Sequence, residues 1–305
     1  MSIRLKADLA LACCALVWGA TFVIVKNAFA DSSVFAFLAA RFVLSAALIV
    51  VIFWKSIRQS NLSDLRAGLW IGLFMFAGYA FQTLGLVTTT PSKAAFITGS
   101  SVVMVPIFHG IFWRSRVGAA IWGGAAAVFA GLYFLTVPHE GLGRLNSGDM
   151  LVFCCAIVFA FHILFVGKFS RKHSVGALSF YQIAMTATLS VLAVPIASAA
   201  HVESPMFHPT GELMIAVVST AVLATVLAFS IQVWAQQHTT PSHTAILFSL
   251  EPVFAGVTSY LVLGERLSHR ALLGAAMILG GIVLAELKGP APVAPESPEP
   301  VRRES

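Results

Sequence analysis

Charge is what this sequence has least of. Of its 305 residues, 10% are Asp, Glu, Lys or Arg, where a soluble domain carries about 25%. Cysteine is scarce as well, four in two adjacent pairs at 13–14 and 154–155. Neighbouring helical residues point about 100° apart, so neither pair makes a metal claw. Small buried side chains suit them better, with oxidation between the two helices left open. The chain has no G-x-x-x-x-G-K-[ST], which excludes a P-loop ATP drive. It also lacks H-E-x-x-H, a nucleophile with its base, and clustered carboxylates; His139-Glu140 has no second histidine at zinc spacing. An intramembrane enzyme on this chain is thus the weaker alternative to a carrier. A channel-like facilitator is another alternative, without a filter or pore-ring sequence to support it. No cofactor and no metal are expected.

What fills the sequence instead is apolar: 58% hydrophobic residues and a mean hydropathy of +0.87. No globule of this size hides so much apolar surface from water. The apolar residues fall into blocks near the ~20 residues that carry a helix across hydrocarbon. Polar, Gly- and Pro-marked breaks give ten expected spans, at 9–29, 33–54, 66–87, 93–113, 117–136, 149–168, 174–199, 211–236, 243–263 and 267–287. Backbone groups in lipid must be satisfied within each segment, so the spans are expected as helices rather than barrel strands. The first run is longer than a signal-peptide core of about 7–15 residues and is expected to stay as a span. The Pro- and charge-rich tail from 289 to 305 is expected to be disordered.

Net charge is +6, and its placement sets orientation. With the N-terminus cytoplasmic and loops assigned alternately, thirteen Lys and Arg fall on the cytoplasmic side and five on the other, with Arg41 inside a span. The positive-inside rule then predicts a multi-pass inner (plasma) membrane protein with both termini cytoplasmic. Nucleic acid is not implied as a partner.

The chain also repeats itself. Residues 89–97 read TTPSKAAFI and residues 239–247 read TTPSHTAIL. A shift of 150 also sets Gln82 on Gln232, Gly124 on Gly274 and Gly131 on Gly281; a shift of 141 sets Asp8 on Asp149 and Cys13-Cys14 on Cys154-Cys155. Two five-span units follow: residues 1–138, and residues 139–288 before the tail. Five is odd, so the second unit must enter from the opposite face. The expected fold class is an all-α membrane protein of ten transmembrane helices arranged as two inverted five-helix repeats. That plan places a binding site near mid-depth between the repeats.

Four segments carry a family resemblance: WGATFVIVKNA at 18–28, ARF at 40–42, TTPSKAAFITGSSVVMVP at 89–106 and LEPVFAGVTSYLVLGERLS at 250–268. In that order they resemble the EamA-type transporters of the drug/metabolite transporter superfamily, over about residues 8–287. The resemblance implies a ten-helix carrier that exports small metabolites, amino acids among them. It also implies a central cavity ringed by spans 1, 3, 4, 6, 8 and 9.

On those spans, helical spacing collects polar and aromatic faces. They are Trp18, Thr21 and Phe22; Tyr79 and Gln82; Thr98 and Ser101; Phe159 and His162; Phe229 and Gln232; Phe248 and Glu251. These are the candidate substrate-binding residues, offering aromatic surface and amides able to bond either end of a zwitterion. Each aromatic taken singly also fits plain packing. Glu251 stands alone as an acid deep in a span, where charge is costly and tends to face water or a partner. It is a coupling candidate, with protons as the candidate ion, or a structural group beside Pro252. His162 is either a hydrogen-bonded structural histidine or a cavity donor. Arg41 is expected to snorkel or to bridge helices. Pro106 and Pro252 are expected to interrupt their helices and to serve as bending points. The other partners expected are a small-molecule substrate and the bilayer; oligomeric state is not legible.

Overall fold

A computed structural model describes residues 1–138, 141–263 and 268–288. Within that range the side chains of Phe22, Val23, Lys26, Pro91, Ser92, Ser259, Val262 and Leu263 are not described. The described residues are helical nearly throughout. In order run α1 (Ile3–Ala28), α2 (Val34–Arg58), α3 (Leu62–Thr88), α4 (Pro91–Gly99), α5 (Ser101–Trp113), α6 (Ala119–Thr136), α7 (Ser147–Ser170) and α8 (Val175–Ala199). Then come α9 (Gly211–Ser219), a π-helical stretch (Thr220–Leu227), α10 (Ala228–Ala235), α11 (Pro241–Phe248), α12 (Glu251–Leu263) and α13 (His269–Lys288).

Helix covers most of each expected stretch among the described residues. Among the described residues, eight stretches are long and apolar enough to cross a membrane: 34–58, 62–88, 93–113, 119–136, 147–170, 175–199, 211–235 and 269–287. The first and ninth expected spans, α1 and α11–α12, hold residues outside the side-chain description.

Local chemistry sets the helix starts. Asn61 with Asp64, and Asn146 with Asp149, form capping boxes that satisfy first-turn N–H groups reciprocally. The repeated phrase does the same work twice: Thr90 accepts from Lys93 N at 3.3 Å and Thr240 from His243 N at 3.2 Å. A proline occupies the first turn of each helix, where its missing N–H costs nothing.

The breaks also repeat. The fourth span parts at Ser100, between α4 and α5, and the ninth at Ser249–Leu250, between α11 and α12. Pro106, expected to interrupt its span, lies inside α5 without ending it. Pro252 is the second residue of α12, where a ring without an N–H is tolerated.

Helix packing is set by small residues. Between α6 and α13, a Cβ on Gly131 would meet Gly274 O at 2.7 Å, and one on Gly124 would meet Gly281 O at 2.7 Å. Two glycine-bearing backbones touch directly, as small-residue faces allow in membranes. A large core lies between α2, α3, α8 and α9, with Phe37, Phe42, Ile49, Met75, Ile183 and Leu213 fully or almost fully buried. Outward faces stay apolar, with Val51 78% and Ile215 65% exposed; such surface suits lipid rather than water.

The bundle has two ends. At the N-terminal end, where α1 begins, His173 Nδ1 meets Asp64 Oδ1 at 2.7 Å and Gln237 donates to Ser170 O at 2.8 Å. At the far end, the segment before α9 crosses the start of α2. Ser33 N donates to Met206 O at 2.8 Å, and the Glu203 carboxylate accepts from Val34 N and Phe35 N at 2.9 Å each.

Candidate functional site

Near the middle of the bundle, side chains from five helices form a continuous set of ring contacts. Trp18 of α1 meets Phe248 of α11 at 4.8 Å and Phe229 of α10 at 5.5 Å between centroids. Phe229 meets His162 of α7 at 5.8 Å and Tyr79 of α3 at 6.4 Å. Tyr79 meets Phe159 of α7 at 5.6 Å. Most pairs are edge-on, the arrangement that aligns ring edges with π faces. Helical spacing was enough to select these residues; the tertiary fold makes them one cluster, filled by its own rings in this conformation.

Behind the rings sits Arg41 of α2, only 4% exposed. Its Nε donates to Thr225 Oγ1 at 2.8 Å, and its Nη2 to Tyr79 OH at 3.1 Å and Ala224 O at 3.3 Å. The guanidinium carbon also lies 4.8 Å from the Tyr79 ring centroid and 5.2 Å from that of Phe42. A cation deep in a membrane bundle needs such partners, and the planar fork reaches several at once. The bridging reading of Arg41 is therefore the one the geometry fits, and its partner Tyr79 belongs to the ring cluster.

The π-helical stretch supplies what Arg41 holds. Widening the turn breaks the usual i→i−4 ladder, and Ala224 O accepts from both Arg41 and Trp18 Nε1, the latter at 2.9 Å. Thr225 Oγ1 in turn donates to Thr220 O at 2.9 Å, and Ala221 O accepts from Ser45 Oγ at 3.2 Å.

The other sequence candidates divide. Thr21 is buried, but its hydroxyl donates to Val17 O and Trp18 O at 2.9 and 3.0 Å, so it is occupied by its own helix. His162 is 1% exposed and its Nε2 lies 3.2 Å from Gln182 Oε1, which fits the Nε2–H tautomer. It is at once a hydrogen-bonded core histidine and a wall of the cluster. Gln232 is 1% exposed, and neither its Nε2 nor its Oε1 has a hydrogen-bond partner among the described residues. Gln82 lies one turn beyond Tyr79 and is half-buried, as are Thr98 and Ser101 on either side of the α4–α5 break. The side chain of Phe22 lies outside the described residues.

Glu251 opens α12 immediately after the break, and its carbonyl oxygen would stand 2.6 Å from a Cβ on Gly19. It is half-buried, within electrostatic reach of Tyr79 and Cys155, and its carboxylate has no hydrogen bond or ion pair among the described residues. All four cysteines are free.

Sequence reasoning missed several groups. Thr225 and Gln182 carry no local signal, because what matters is the partner each meets from another helix. It also passed over two charged clusters at the ends of the bundle. At the far end Lys93 Nζ lies 3.4 Å from Asp149 Oδ2. At the N-terminal end His243 Nε2 lies 3.3 Å from Asp8 Oδ1 and 3.0 Å from Glu286 Oε2.

Comparison with known proteins follows the same outline. The EamA-like transporter family matches the chain twice, at residues 5–137 and 146–287. An uncharacterized transporter of Archaeoglobus fulgidus is 35% identical over 285 residues, covering 93% of this chain and 87% of that protein. A WAT1-related chloroplastic protein of Arabidopsis thaliana is 24% identical over 285 residues, 88% of this chain and 66% of that one. One solved crystal structure superimposes with a TM-score of 0.77 over 92% of this chain and 96% of its own, at 19% identity, a likeness of fold.

Proposed function

The chain belongs to the EamA-like transporter family, and on that premise we propose that it is a secondary carrier of small amphiphiles, amino acids first among them, working by alternating access. The observation that carries the reading is the ring cluster itself. Trp18, Tyr79, His162, Phe229 and Phe248 come from both family matches and converge at mid-depth. A buried amide whose two polar atoms have no hydrogen-bond partner among the described residues, Gln232, stands one turn from Phe229. An unmet buried donor and acceptor is destabilising until something binds them, and a zwitterion or hydroxylated amphiphile offers both.

The two units, 1–138 and 139–288, are read as inverted repeats in ten transmembrane helices. The packing supports this: α6 with α13 and α2 with α8 each join equivalent elements, and the α3–α7 contact has its counterpart between α1 and the α9–α10 span. Lys55, Arg58, Arg66, Lys168, Arg171 and Lys172 flank the N-terminal end of the bundle, which is the cytoplasmic side by the positive-inside rule. Both termini then lie in the cytoplasm, and the protein in the inner (plasma) membrane.

The test is a thermal-shift screen of the purified chain against metabolites, followed by solute counterflow in proteoliposomes with any stabilising compound. Saturable counterflow of an unaltered solute is the expected result. Leak without exchange makes the protein a channel, and chemical change of the solute makes it an enzyme; either overturns the reading.

A further inference from the structure

We propose that the groove between α5 and α6, at the N-terminal end of the bundle, is a docking site for one anionic phospholipid. An acyl chain lies along the groove, and Arg114 and Arg116 hold the headgroup. The proposal goes beyond the carrier reading: it needs a chain that spans a bilayer, and nothing about what crosses it.

The two helices part at this end. α5 closes at Trp113, and residues 114–118 run without helix before α6 begins at Ala119. Arg114 makes the turn in the left-handed region, at φ 50°, a conformation uncommon outside glycine. Between the helices lies a groove of about 270 Å³, walled by Pro106, Ile107, Ile111 and Trp122, with Gly110 and Ser115 also lining it. Gly110 keeps it open: a Cβ there would meet only Ser115 O, at 3.9 Å. Ile111 and Trp122 are exposed, so the groove opens on the face that meets lipid.

Depth and charge together select an anionic lipid. Trp54, Trp70 and Trp122 are exposed, each within three turns of the N-terminal end of the bundle. Exposed tryptophans gather where membrane meets water, so residues 114–118, beyond them, stand at headgroup level. Arg114 and Arg116 are exposed and flank Ser115 of the groove. Neither has a hydrogen bond, ion pair or ring contact among the described residues. The acids described at this end are engaged elsewhere: Asp64 with His173, and Asp8 and Glu286 with His243 and Arg4. The first turn of α6 holds no acid, and Gly118 caps it without a side-chain bond. The wider field has the same sign, since Lys6, Lys168, Arg171, Lys172 and Lys288 belong to this end too.

The occupant follows from complementarity. The groove offers apolar wall to a hydrocarbon chain, and its mouth offers two guanidiniums, whose planar forks match phosphate oxygens. A zwitterionic headgroup brings its own cation to the phosphate, whereas an anionic one leaves its charge for the arginines. A second copy of this chain meeting the groove symmetrically would set the same arginines against each other. The orientation read above puts this end in the cytoplasmic leaflet, whose negative surface attracts basic segments.

The experiment titrates the purified full chain in detergent with phosphatidylglycerol or phosphatidylcholine and counts bound lipid by native mass spectrometry, with inorganic phosphate as a competitor. One phosphatidylglycerol should bind in preference to phosphatidylcholine. Arg114→Gln with Arg116→Gln should weaken it about 25-fold, ~fivefold for each arginine, and leave phosphatidylcholine unchanged. Gly110→Leu fills the groove while keeping both arginines, and should weaken phosphatidylglycerol to a similar degree. Neither variant should lower the melting temperature of the lipid-free chain, which separates lost binding from lost folding. Lys55→Gln with Arg58→Gln removes as much charge from the same end and should leave the tight lipid in place. Equal affinity for the two lipids overturns the proposal, as does an equal loss from the Lys55 and Arg58 pair, which makes the attraction diffuse. Displacement of the lipid by an equal concentration of inorganic phosphate makes this a bare anion site and overturns it. So does a Gly110→Leu chain that keeps its lipid but loses a dimer, which makes the groove a subunit contact. Tight binding that appears only after deletion of residues 289–305 makes the chain's own tail the occupant, and overturns it too. Counterflow is a separate readout: its failure leaves the lipid site standing, and loss of the lipid site leaves the carrier standing.

Discussion

The indole Nε1 of Trp18 donates to the carbonyl oxygen of Ala224 at 2.9 Å, tying the middle of α1 to the π-helical stretch between α9 and α10. The same carbonyl accepts from Arg41. One widened turn therefore holds a ring of the central cluster and the buried cation behind it. Widened turns recur at functional sites because they present carbonyls that a regular helix keeps to itself.

Replacing Trp18 by Phe keeps the ring and deletes the donor. A net loss of about 1 kcal/mol is expected for one such bond, seen as a modest drop in the melting temperature of the purified chain. The edge-on contact with Phe248 should survive, so ligand-induced stabilisation should be largely retained. Its complete loss would give the indole N–H a direct role in binding.

Gln232→Leu separates stability from binding by opposite signs. Removing a buried amide without partners relieves a cost of about 1–3 kcal/mol, so the ligand-free variant should melt at or above the wild type. The thermal shift produced by any stabilising compound should disappear. A variant that melts lower and still responds to the compound would make the amide structural.

Glu251→Gln removes a charge that has no partner among the described residues. If the carboxylate is a proton carrier, the variant's transport should lose the wild type's pH dependence while its melting temperature holds. If the residue is structural, melting falls and the pH profile stays. An unchanged profile excludes the proton role.

Gly131→Ala places a methyl 2.7 Å from Gly274 O, too close for either backbone to stay in place. Overpacking of this kind costs about 1–3 kcal/mol. Gly280→Ala, on the same α13 but with nothing within 4 Å of the added carbon, should stay within about 0.5 kcal/mol of the wild type. Equal effects would mean that α6 and α13 do not touch in the membrane.

Much of the architecture was legible before any coordinates. Apolar blocks near the width of a bilayer can only be helices, because lipid offers the backbone no other partner. The caps at Thr90 and Thr240 were readable for a similar reason: a hydroxyl reaches an N–H three residues on, within one short segment. Helical spacing also sufficed to put Trp18, Tyr79, His162, Phe229 and Phe248 on inward faces. Thr21 shares that spacing, and its hydroxyl donates to the backbone of its own helix. At Pro106 the helix runs on, and the break in that stretch falls at Ser100.

What the sequence determined by itself, then, is everything that depends on neighbours along the chain: solvent, helix content, helix starts, the internal repeat and the faces that carry polar groups. The tertiary structure decided which faces meet. Arg41 finds Thr225 across 184 positions and His243 lies between Asp8 and Glu286. The turn that receives Arg41 is a π-helix that no local pattern announces. Those pairings depend on the depth and rotation of one helix against another. In a bundle, depth and rotation are set by the packing of all the helices at once, not by the composition of any one of them.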